Sequence, residues 1–246
     1  GRTAIRKNSA GNEYYGVLRG ARAVGTPQYL LVEHSFHTNA RAAQWLLSDI
    51  HLAGLALAEA EVLAEHYGLS AVPEGKTAIL GTAQATAQQM ALFCRSRNAA
   101  PRLPACSVEE LAQMFLEEGA AEGVRGDVAW AQSLKETGFF RYGGIVLPEQ
   151  NNYAGIGALN GNAQGQAASF PDPRTGVRAQ IQHLKAYACT DTLANACVDP
   201  RFSLVTRGCA PYVEWLGAAD NPQGKGWAFP GPGYGASIVK LLEQIQ

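Results

Sequence analysis

The chain has 246 residues, of which 47% are hydrophobic and 17% are charged, and its formal net charge is −1. This length fits one large domain or two small ones, with enough apolar content for a well-buried core. The near-neutral charge argues against a nucleic-acid partner and favours uncharged polar ligands. No apolar run approaches the roughly 20 residues that a membrane-spanning helix needs, so we expect no membrane span.

The first residues and the cysteines bear on the compartment. The chain begins with GRTAIRKN, without an initiator methionine or a secretory signal, so we interpret it as a mature product or a fragment. The missing signal therefore does not argue for the cytoplasm. None of the five cysteines forms a C-x-x-C pair. Two alternatives stay open: loop-closing disulfides, or free thiols packed as small hydrophobic groups. The disulfides would join Cys94 to Cys106 and Cys189 to Cys197.

The first third of the chain predicts a strand followed by helix. The segment QYLLVEHSF, with Pro27 before it, is typical of a short buried strand. Residues 40–68 predict one or two helices that end at Gly68. Their apolar face would consist of Trp45, Leu52, Leu55, Val62 and Leu63. We therefore expect one region at 1–68, a linker at 69–76 and a second region at 77–246.

The second region predicts mostly helices. The segment TAQATAQQMALFCRS indicates a helix with Met90 and Phe93 turned inward. The next segment, SVEELAQMFLEEG, begins with Ser107 and Glu110 in capping-box spacing, and we expect this helix to end at Gly119.

A third helix is predicted from near Asp127 to Gly138. Residues 139–175 are rich in glycine, asparagine and proline, and such a length predicts a functional loop or a small β region. Two more helices are predicted in GVRAQIQHLKAYA and, after an irregular stretch, in GASIVKLLEQI.

Glu136 lies at the end of the third helix, in VAWAQSLKETGFFRYGG. The helix dipole and desolvation by Phe139 and Phe140 should both disfavour its ionised form. A carboxyl that stays protonated near neutral pH can donate a proton to a leaving oxygen. The alternative is an ordinary surface glutamate at a helix end.

Four motifs in order resemble the bacterial endo-β-N-acetylglucosaminidases of glycoside hydrolase family 73. The family's A-Q-x-x-x-E-[ST]-G is matched by AQSLKETG, and its N-N-x-x-G-I by QNNYAGIGA. The last two are FPDPRTGVRAQIQHLKAYA and GKGWAFPGPGYGASIVKLLEQI. The resemblance covers residues 77–246 and implies a mainly α, lysozyme-like (α+β) fold. It also implies cleavage of β-1,4 bonds in peptidoglycan glycan strands without a cofactor or a metal.

The resemblance makes Glu136 the general acid. It makes Tyr234 a tyrosine at the far wall of the cleft, where it would support an N-acetyl group acting as internal nucleophile. The chain has one more residue than the family pattern between Ala228 and Tyr234. A second carboxylate would be needed about 6.5–9.5 Å away for inversion, or about 5–5.5 Å away for retention. Glu122 is the best candidate for it, ahead of Glu118 and Asp172, and the alternative is a solvated loop charge.

Sugar subsites are expected from amide and aromatic side chains after the catalytic helix. The candidates are Asn151, Asn152, Tyr153, Gly155, Tyr142 and Trp227. The alternative for the asparagines is a turn, and Tyr142, Trp215 and Trp227 can equally belong to the core. His183 falls near the apolar side of its helix, so we expect a structural role for it.

The segment TPQYLLVEHSFHTN resembles the closing strand of zinc-dependent N-acetylmuramoyl-L-alanine amidases, with Glu33 and Asn39 at the family's glutamate and asparagine. The earlier strands that carry that family's zinc ligands are missing. The pair His34 and His37 falls short of the three protein ligands that a catalytic zinc usually needs. We therefore interpret residues 1–68 as an amidase-like remnant whose partner is the helical region or the missing upstream part of the amidase domain.

These observations predict a secreted cell-wall hydrolase. The two alternatives are a zinc amidase and a non-catalytic peptidoglycan-binding module.

Overall fold

The computed structural model describes residues 7–11, 14–24, 31–32, 38–66, 75–158, 161 and 163–246. The chain divides into two compact units, Gly1–Ala71 and Val72–Gln246. Regular structure in these described ranges is almost entirely helical, so the predicted mainly α fold class is confirmed. None of the described helices is long and apolar enough to cross a membrane.

The described residues of the first unit form three helices, α1 at Gly16–Ala23, α2 at Ala40–Leu46 and α3 at Asp49–His66. Helix α2 begins at Asn39, whose side chain accepts a hydrogen bond from the backbone N–H of Ala42 at 3.1 Å. The helical stretch predicted after the strand is confirmed as the two helices α2 and α3. Helix α1 was not predicted from the sequence.

The predicted strand lies mostly outside the described residues, and so do Glu33, His34, His37 and Gly68. The amidase-like interpretation of this segment therefore stays a prediction. The described side chains of the predicted apolar face remain largely exposed, with Val62 at 65%. The burial of this face stays a prediction as well.

Within residues 75–158, 161 and 163–246, the second unit forms five α-helices and three short 3₁₀ turns. The helices are α4 at Ala87–Arg97, α5 at Val108–Glu122, α6 at Gly126–Thr137, α7 at Pro173–Ala188 and α8 at Tyr234–Ile245. The turns are Pro148–Gln150, Phe202–Leu204 and Val213–Leu216. The region predicted at 139–175 is mainly a loop, and its described residues include no strand.

Helix α5 begins with the predicted capping box of Ser107 and Glu110 but ends at Gly123, where φ is 72°. The predicted end at Gly119 is therefore wrong. Gly119 lies within the helix. A Cβ there would come within 2.6 Å of the carbonyl oxygen of Val124, which explains why this position is a glycine. The absence of a side chain at Gly119 serves close packing rather than helix termination.

The core of this unit surrounds α6. Gly126, where a Cβ would lie 2.3 Å from the carbonyl oxygen of Phe115, lets α6 approach α5 closely. Trp130 on α6 then packs edge-on against Phe115 and Phe140, with ring centroids 5.5 and 5.4 Å apart. All three rings are fully buried, and each contributes about 1.5–3 kcal/mol or more through apolar burial.

Two smaller predictions concern this core. Met90 is fully buried as expected, whereas Phe93 is only partly buried and packs at the edge of the core. All five cysteines lie in described parts of the chain and are free thiols. The alternative of two loop-closing disulfides is therefore not found in this structure.

Candidate active site

Glu136 lies in the last turn of α6. Residues from Gly126 to Leu134 are all buried, whereas Glu136 reaches solvent. Gly138 ends the helix with φ of 59°, and Phe139 and Phe140 continue with φ of 59° and 57°. Such values are uncommon for residues with side chains, and each costs about 1–3 kcal/mol. The burial of Phe140 in the core holds this turn, which leads the chain away directly after Glu136.

Glu136 lines a cleft of about 400 Å³. The other lining residues come from the loop 154–158, from His183 and Tyr187 on α7, from 201 and 204–205, from 227–229 and from Tyr234. Glu136 is the only carboxylate among the described residues that line this cleft. Arg201 supplies one positive charge beside that carboxylate, so the cleft suits an uncharged polar ligand better than a cation.

Another cavity, of about 430 Å³, lies at Lys76–Gln84 and the end of α8. Its arginine, Arg125, is already paired with Asp127 at 2.9 Å. We place the candidate chemistry at Glu136, a cleft carboxyl whose pKa is raised by desolvation.

Desolvation raises the pKa of Glu136, and the hydrogen bond from Tyr234 and the charge of Lys135 offset only part of that effect. Water reaches the carboxyl through the mouth of the cleft, but protein atoms surround it on its other sides, so desolvation dominates. The expected direction of the pKa change is confirmed. The two phenylalanines after the helix pack on other aromatic rings, Phe93 and Trp130.

A chain of buried hydrogen bonds leads to Glu136. The hydroxyl of Tyr234 donates to Oε1 of Glu136. Nε2 of Gln132 donates to that hydroxyl at 3.1 Å, and Nε2 of Gln180 donates to Oε1 of Gln132 at 2.9 Å. Both glutamines are fully buried. Each donor in this series of hydrogen bonds, Gln180, Gln132 and Tyr234, donates in the direction of Glu136, so the orientation of the Tyr234 hydroxyl is fixed. Tyr234 thus lies beside Glu136, whereas the resemblance implied a tyrosine at the far wall.

Glu122 does not line the cleft. Its carboxylate is buried and accepts hydrogen bonds from Nζ of Lys185 at 2.9 Å and from the backbone N–H groups of Ala194 and Asn195 at 2.9 and 3.0 Å. Burial alone would raise the pKa of Glu122, but these bonds together hold it below the usual value. The contacts favour a structural anchor between α5, α7 and the loop after α7.

The other two candidate carboxylates are also engaged in the fold. Glu118 is buried and accepts from Arg178 at 2.7 Å and Arg174 at 3.0 Å. Asp172 precedes α7 and accepts from the backbone N–H of Thr175 at 2.9 Å, which is the geometry of a helix N-cap. Neither residue lines the cleft.

The asparagines predicted as subsites build the loop that borders the cleft. The side chain of Asn152 is fully buried, donates to the carbonyl oxygens of Ile156 and Ala168 at 2.9 Å each, and accepts from the N–H of Ile156 at 3.0 Å. Asn151 has φ of 50° and donates to the carbonyl oxygen of Phe170 at 3.0 Å. These contacts fit the alternative of turn formation, because the amides have no free atoms facing the cleft.

The remaining predicted subsite residues divide between cleft and core. Gly155 lines the cleft with φ of 67°, and a Cβ there would lie 3.7 Å from Oε2 of Glu136. Trp227 also lines the cleft. Tyr153 is 2% exposed and belongs to the core, and Tyr142 is half-buried against it without lining the cleft. Trp215, for which core and subsite were both open, is partly buried against the core and packs on Tyr212.

Sequence reasoning missed several residues of this site. Gln132 lies one helical turn before Glu136 within AQSLKETG, so helical spacing could have placed it on the same face. Phe229, 86% exposed at the edge of the cleft, was overlooked although it lies in the closing motif. His183, expected to be structural, lines the cleft and contacts Asp199 at 2.6 Å. That contact joins distant residues, which sequence spacing does not reveal.

A mainly α unit whose cleft is lined by one carboxylate, Glu136, and one guanidinium, Arg201, is an arrangement suited to glycoside hydrolysis. The glucosaminidase family model, described as mannosyl-glycoprotein endo-beta-N-acetylglucosaminidase, matches residues 112–246. The match spans more than half of the chain, and the chain therefore belongs to this glycoside hydrolase family. The matched residues include Glu136 and Tyr234, whereas residues 1–111 lie outside the match.

A bacterial relative matches a similar part of the chain. An uncharacterized protein of Borreliella burgdorferi (strain ATCC 35210 / DSM 4680 / CIP 102532 / B31) is 44% identical over 113 residues. That alignment covers 46% of this chain and 54% of the relative, so the chain spans about half the length of the curated relative. No solved structure matches the chain.

Proposed function

We propose that the chain is a bacterial cell-wall hydrolase, an autolysin that cleaves the β-1,4 bond after N-acetylglucosamine in peptidoglycan. Membership of the glucosaminidase family supports the reaction class. A bacterial relative and a cleft with one carboxylate support a bacterial glycan as the substrate. On this proposal the protein works outside the cell, at the wall.

The observation that carries the proposal is the environment of Glu136. Its pKa is raised by desolvation, so a larger fraction is protonated near neutral pH than for an ordinary glutamate. Tyr234 occupies Oε1, and the other oxygen, Oε2, lies beside Gly155 in the cleft. We assign Oε2 as the atom that donates its proton to the glycosidic oxygen, with Glu136 as general acid.

The test is digestion of purified sacculi followed by mass spectrometry of the released fragments. We expect N-acetylglucosamine at every new reducing end. Glu136→Gln keeps the size of the side chain and removes the proton, so activity should fall by at least about a hundredfold. Glu243→Gln on α8, outside the cleft, is the matched control and should be fully active.

Three outcomes would count against this function. Fragments that end in N-acetylmuramic acid would assign a different bond, and free stem peptides would support the zinc amidase. Binding to sacculi without new reducing ends would support a non-catalytic binding module. A folded Glu136→Gln variant with wild-type activity would remove Glu136 from the chemistry.

We further propose that residues 1–68 are an amidase-like remnant without its own zinc site, which rests on the motif around Glu33. Metal analysis of the purified chain tests this proposal, and one stoichiometric zinc would contradict it.

A further inference from the structure

His183 shares the cleft with Glu136 and is held by a buried carboxylate. Its Nδ1 lies 2.6 Å from Oδ2 of Asp199. The side chain of Asp199 is fully buried, and its other oxygen, Oδ1, accepts from the backbone N–H of Arg201 at 2.9 Å. An ionised carboxylate only accepts hydrogen bonds, so Nδ1 carries the hydrogen. In the neutral ring Nε2 then has a free lone pair.

Nε2 of His183 has no hydrogen-bond partner in the part of the chain that the structure describes. The ring is fixed in place by edge-on contacts with Trp227 and Tyr187, whose centroids lie 4.6 and 5.4 Å away. All three side chains line the cleft. The lone pair is therefore available to a molecule bound in the cleft.

A purely structural role would need only the contact with Asp199. The neighbouring Gln182 already fastens the same loop to α7. Its Oε1 accepts from the backbone N–H groups of Val198 at 2.8 Å and Asp199 at 3.3 Å, and its Nε2 donates to the carbonyl oxygen of Ala196 at 3.0 Å. The loop is thus secured without Nε2 of His183, a residue that lines the cleft although only 8% of it is exposed.

Hydrolysis by direct attack of water needs a proton acceptor besides the general acid. Glu136 is the sole carboxylate on the described cleft surface, and Glu122 is engaged elsewhere. The cleft tyrosines are poor acceptors because burial raises the pKa of Tyr187 to about 12 and that of Tyr234 well above its usual value. Among these groups, a neutral imidazole oriented by a carboxylate is the one suited to accept a proton.

We propose that His183 is the catalytic base of this cleft and that Asp199 is its positioning residue. The proposal rests on the proposed function, with Glu136 as the acid. Nε2 takes a proton from water while the water oxygen forms a bond to the anomeric carbon. The bond from that carbon to the leaving oxygen breaks, and the leaving oxygen takes the proton of Glu136. Attack by water on the opposite face inverts the centre, so the product is the α-anomer.

The key variant is His183→Asn. The asparagine amide can still donate to Asp199 from a position close to that of Nδ1, but it has no basic nitrogen where Nε2 was. A structural role would survive this change, whereas a catalytic base would be lost. We expect kcat to fall by about 10²–10⁴-fold with little change in KM. Azide, which attacks without losing a proton, should restore turnover and give an N-acetylglucosaminyl azide of inverted configuration.

Asp199→Asn tests the positioning role. The new amide can donate to Nδ1 and so move the ring hydrogen to Nε2, which removes the lone pair from the cleft. We expect a loss in kcat at near-normal KM. Gln182→Glu keeps an acceptor for the two loop N–H groups but loses the donor to the carbonyl oxygen of Ala196, so it perturbs the loop while leaving His183 and Asp199 in place. It is the control for damage to the loop, and kcat per folded molecule should fall much less than in Asp199→Asn.

The anomeric outcome keeps the proposal testable even if the variants fold poorly. Early ¹H NMR spectra of wild-type digests of soluble glycan strands should show the α-anomer first. Initial release of the β-anomer would overturn the assignment of His183. A folded His183→Asn variant whose kcat lies within about threefold of the wild-type value would overturn it too, because that loss is much smaller than the loss of a catalytic base causes. Glu136→Gln distinguishes failure of this inference from failure of the proposed function. An inactive Glu136→Gln with an active His183→Asn refutes only the role of His183, whereas activity in both variants refutes the proposed function.

Discussion

Glu122→Gln should unfold the second unit more readily without disabling the cleft. The glutamate carboxylate receives four hydrogen bonds, from Lys185, from the backbone N–H groups of Ala194 and Asn195, and from the side-chain amide of Asn195 at 3.5 Å. A glutamine has one acceptor oxygen and one NH₂ group, so at least one of these donors loses its acceptor in either orientation. A stranded buried donor costs about 1–3 kcal/mol.

The loss of charge adds to that cost. The side chain of Lys185 is 9% exposed, and its ammonium would lose the carboxylate that offsets its desolvation. Breaking a buried ion pair by removing one partner typically costs about 3–5 kcal/mol, which includes such stranded groups. We therefore expect the free energy of unfolding to fall by about 3–5 kcal/mol. The pKa of Glu122 is lowered by its contacts, so the stabilisation is present at neutral pH and is lost as the pH falls through its titration range.

Denaturant unfolding at neutral and acidic pH is the appropriate assay, with activity measured per folded molecule. Glu117→Gln is the matched control: Glu117 pairs with Arg174 at 2.6 Å, but both side chains are more than 40% exposed. Its loss should cost less than about 1 kcal/mol. A Glu122→Gln variant with wild-type stability and lost activity would refute this reasoning and restore Glu122 as a catalytic candidate.

Three other changes test the site. Tyr234→Phe removes a hydrogen bond that lowers the pKa of Glu136, so the alkaline limb of the pH–rate profile should move to higher pH. The control is Tyr187→Phe, which removes a hydroxyl bonded to Gly226 and should leave that limb in place. A large loss of rate in Tyr234→Phe without a shift of the limb would instead favour support of the acetamido group by Tyr234. Gly155→Ala should lower kcat/KM several-fold, because φ of 67° disfavours alanine beside the carboxyl; unchanged kinetics would contradict a close fit there. Chelation with EDTA should leave glycosidase activity intact, and loss of activity restored by zinc would contradict that expectation.

The features of the fold that depend on local signals could be predicted from the sequence. The capping box at Ser107 and the left-handed glycine at Gly138 are encoded within a few residues, and both are confirmed. Gly119 misled the prediction because a glycine within a sequence looks the same whether it ends a helix or permits a close contact. Only the approach of α6 to α5 distinguishes the two.

The residues of the candidate site also divide into those with a local sequence signal and those brought together only by the fold. Glu136 could be singled out from its motif and its place at a helix end, and that role stays a proposal. The links from Gln180 to Gln132 and from Asp199 to His183 join residues 48 and 16 positions apart, and depend on how the helices and loops meet. The asparagines could not be assigned because an amide that binds sugar and an amide that fixes a turn have the same chemistry.

The one-way order of the hydrogen bonds behind Glu136 has a consequence for turnover. The amide hydrogens of Gln132 are not exchangeable on the timescale of acid–base catalysis, and the Tyr234 proton already faces the carboxyl. If Glu136 donates its proton as we propose, the residues behind it therefore cannot resupply one. On the proposed mechanism Glu136 is reloaded, and the proton taken up by His183 is released, through the mouth of the cleft, where the product itself stands in the way. The enzyme would be primed for its next cut only after the departing glycan has let water in, which ties proton uptake to product release.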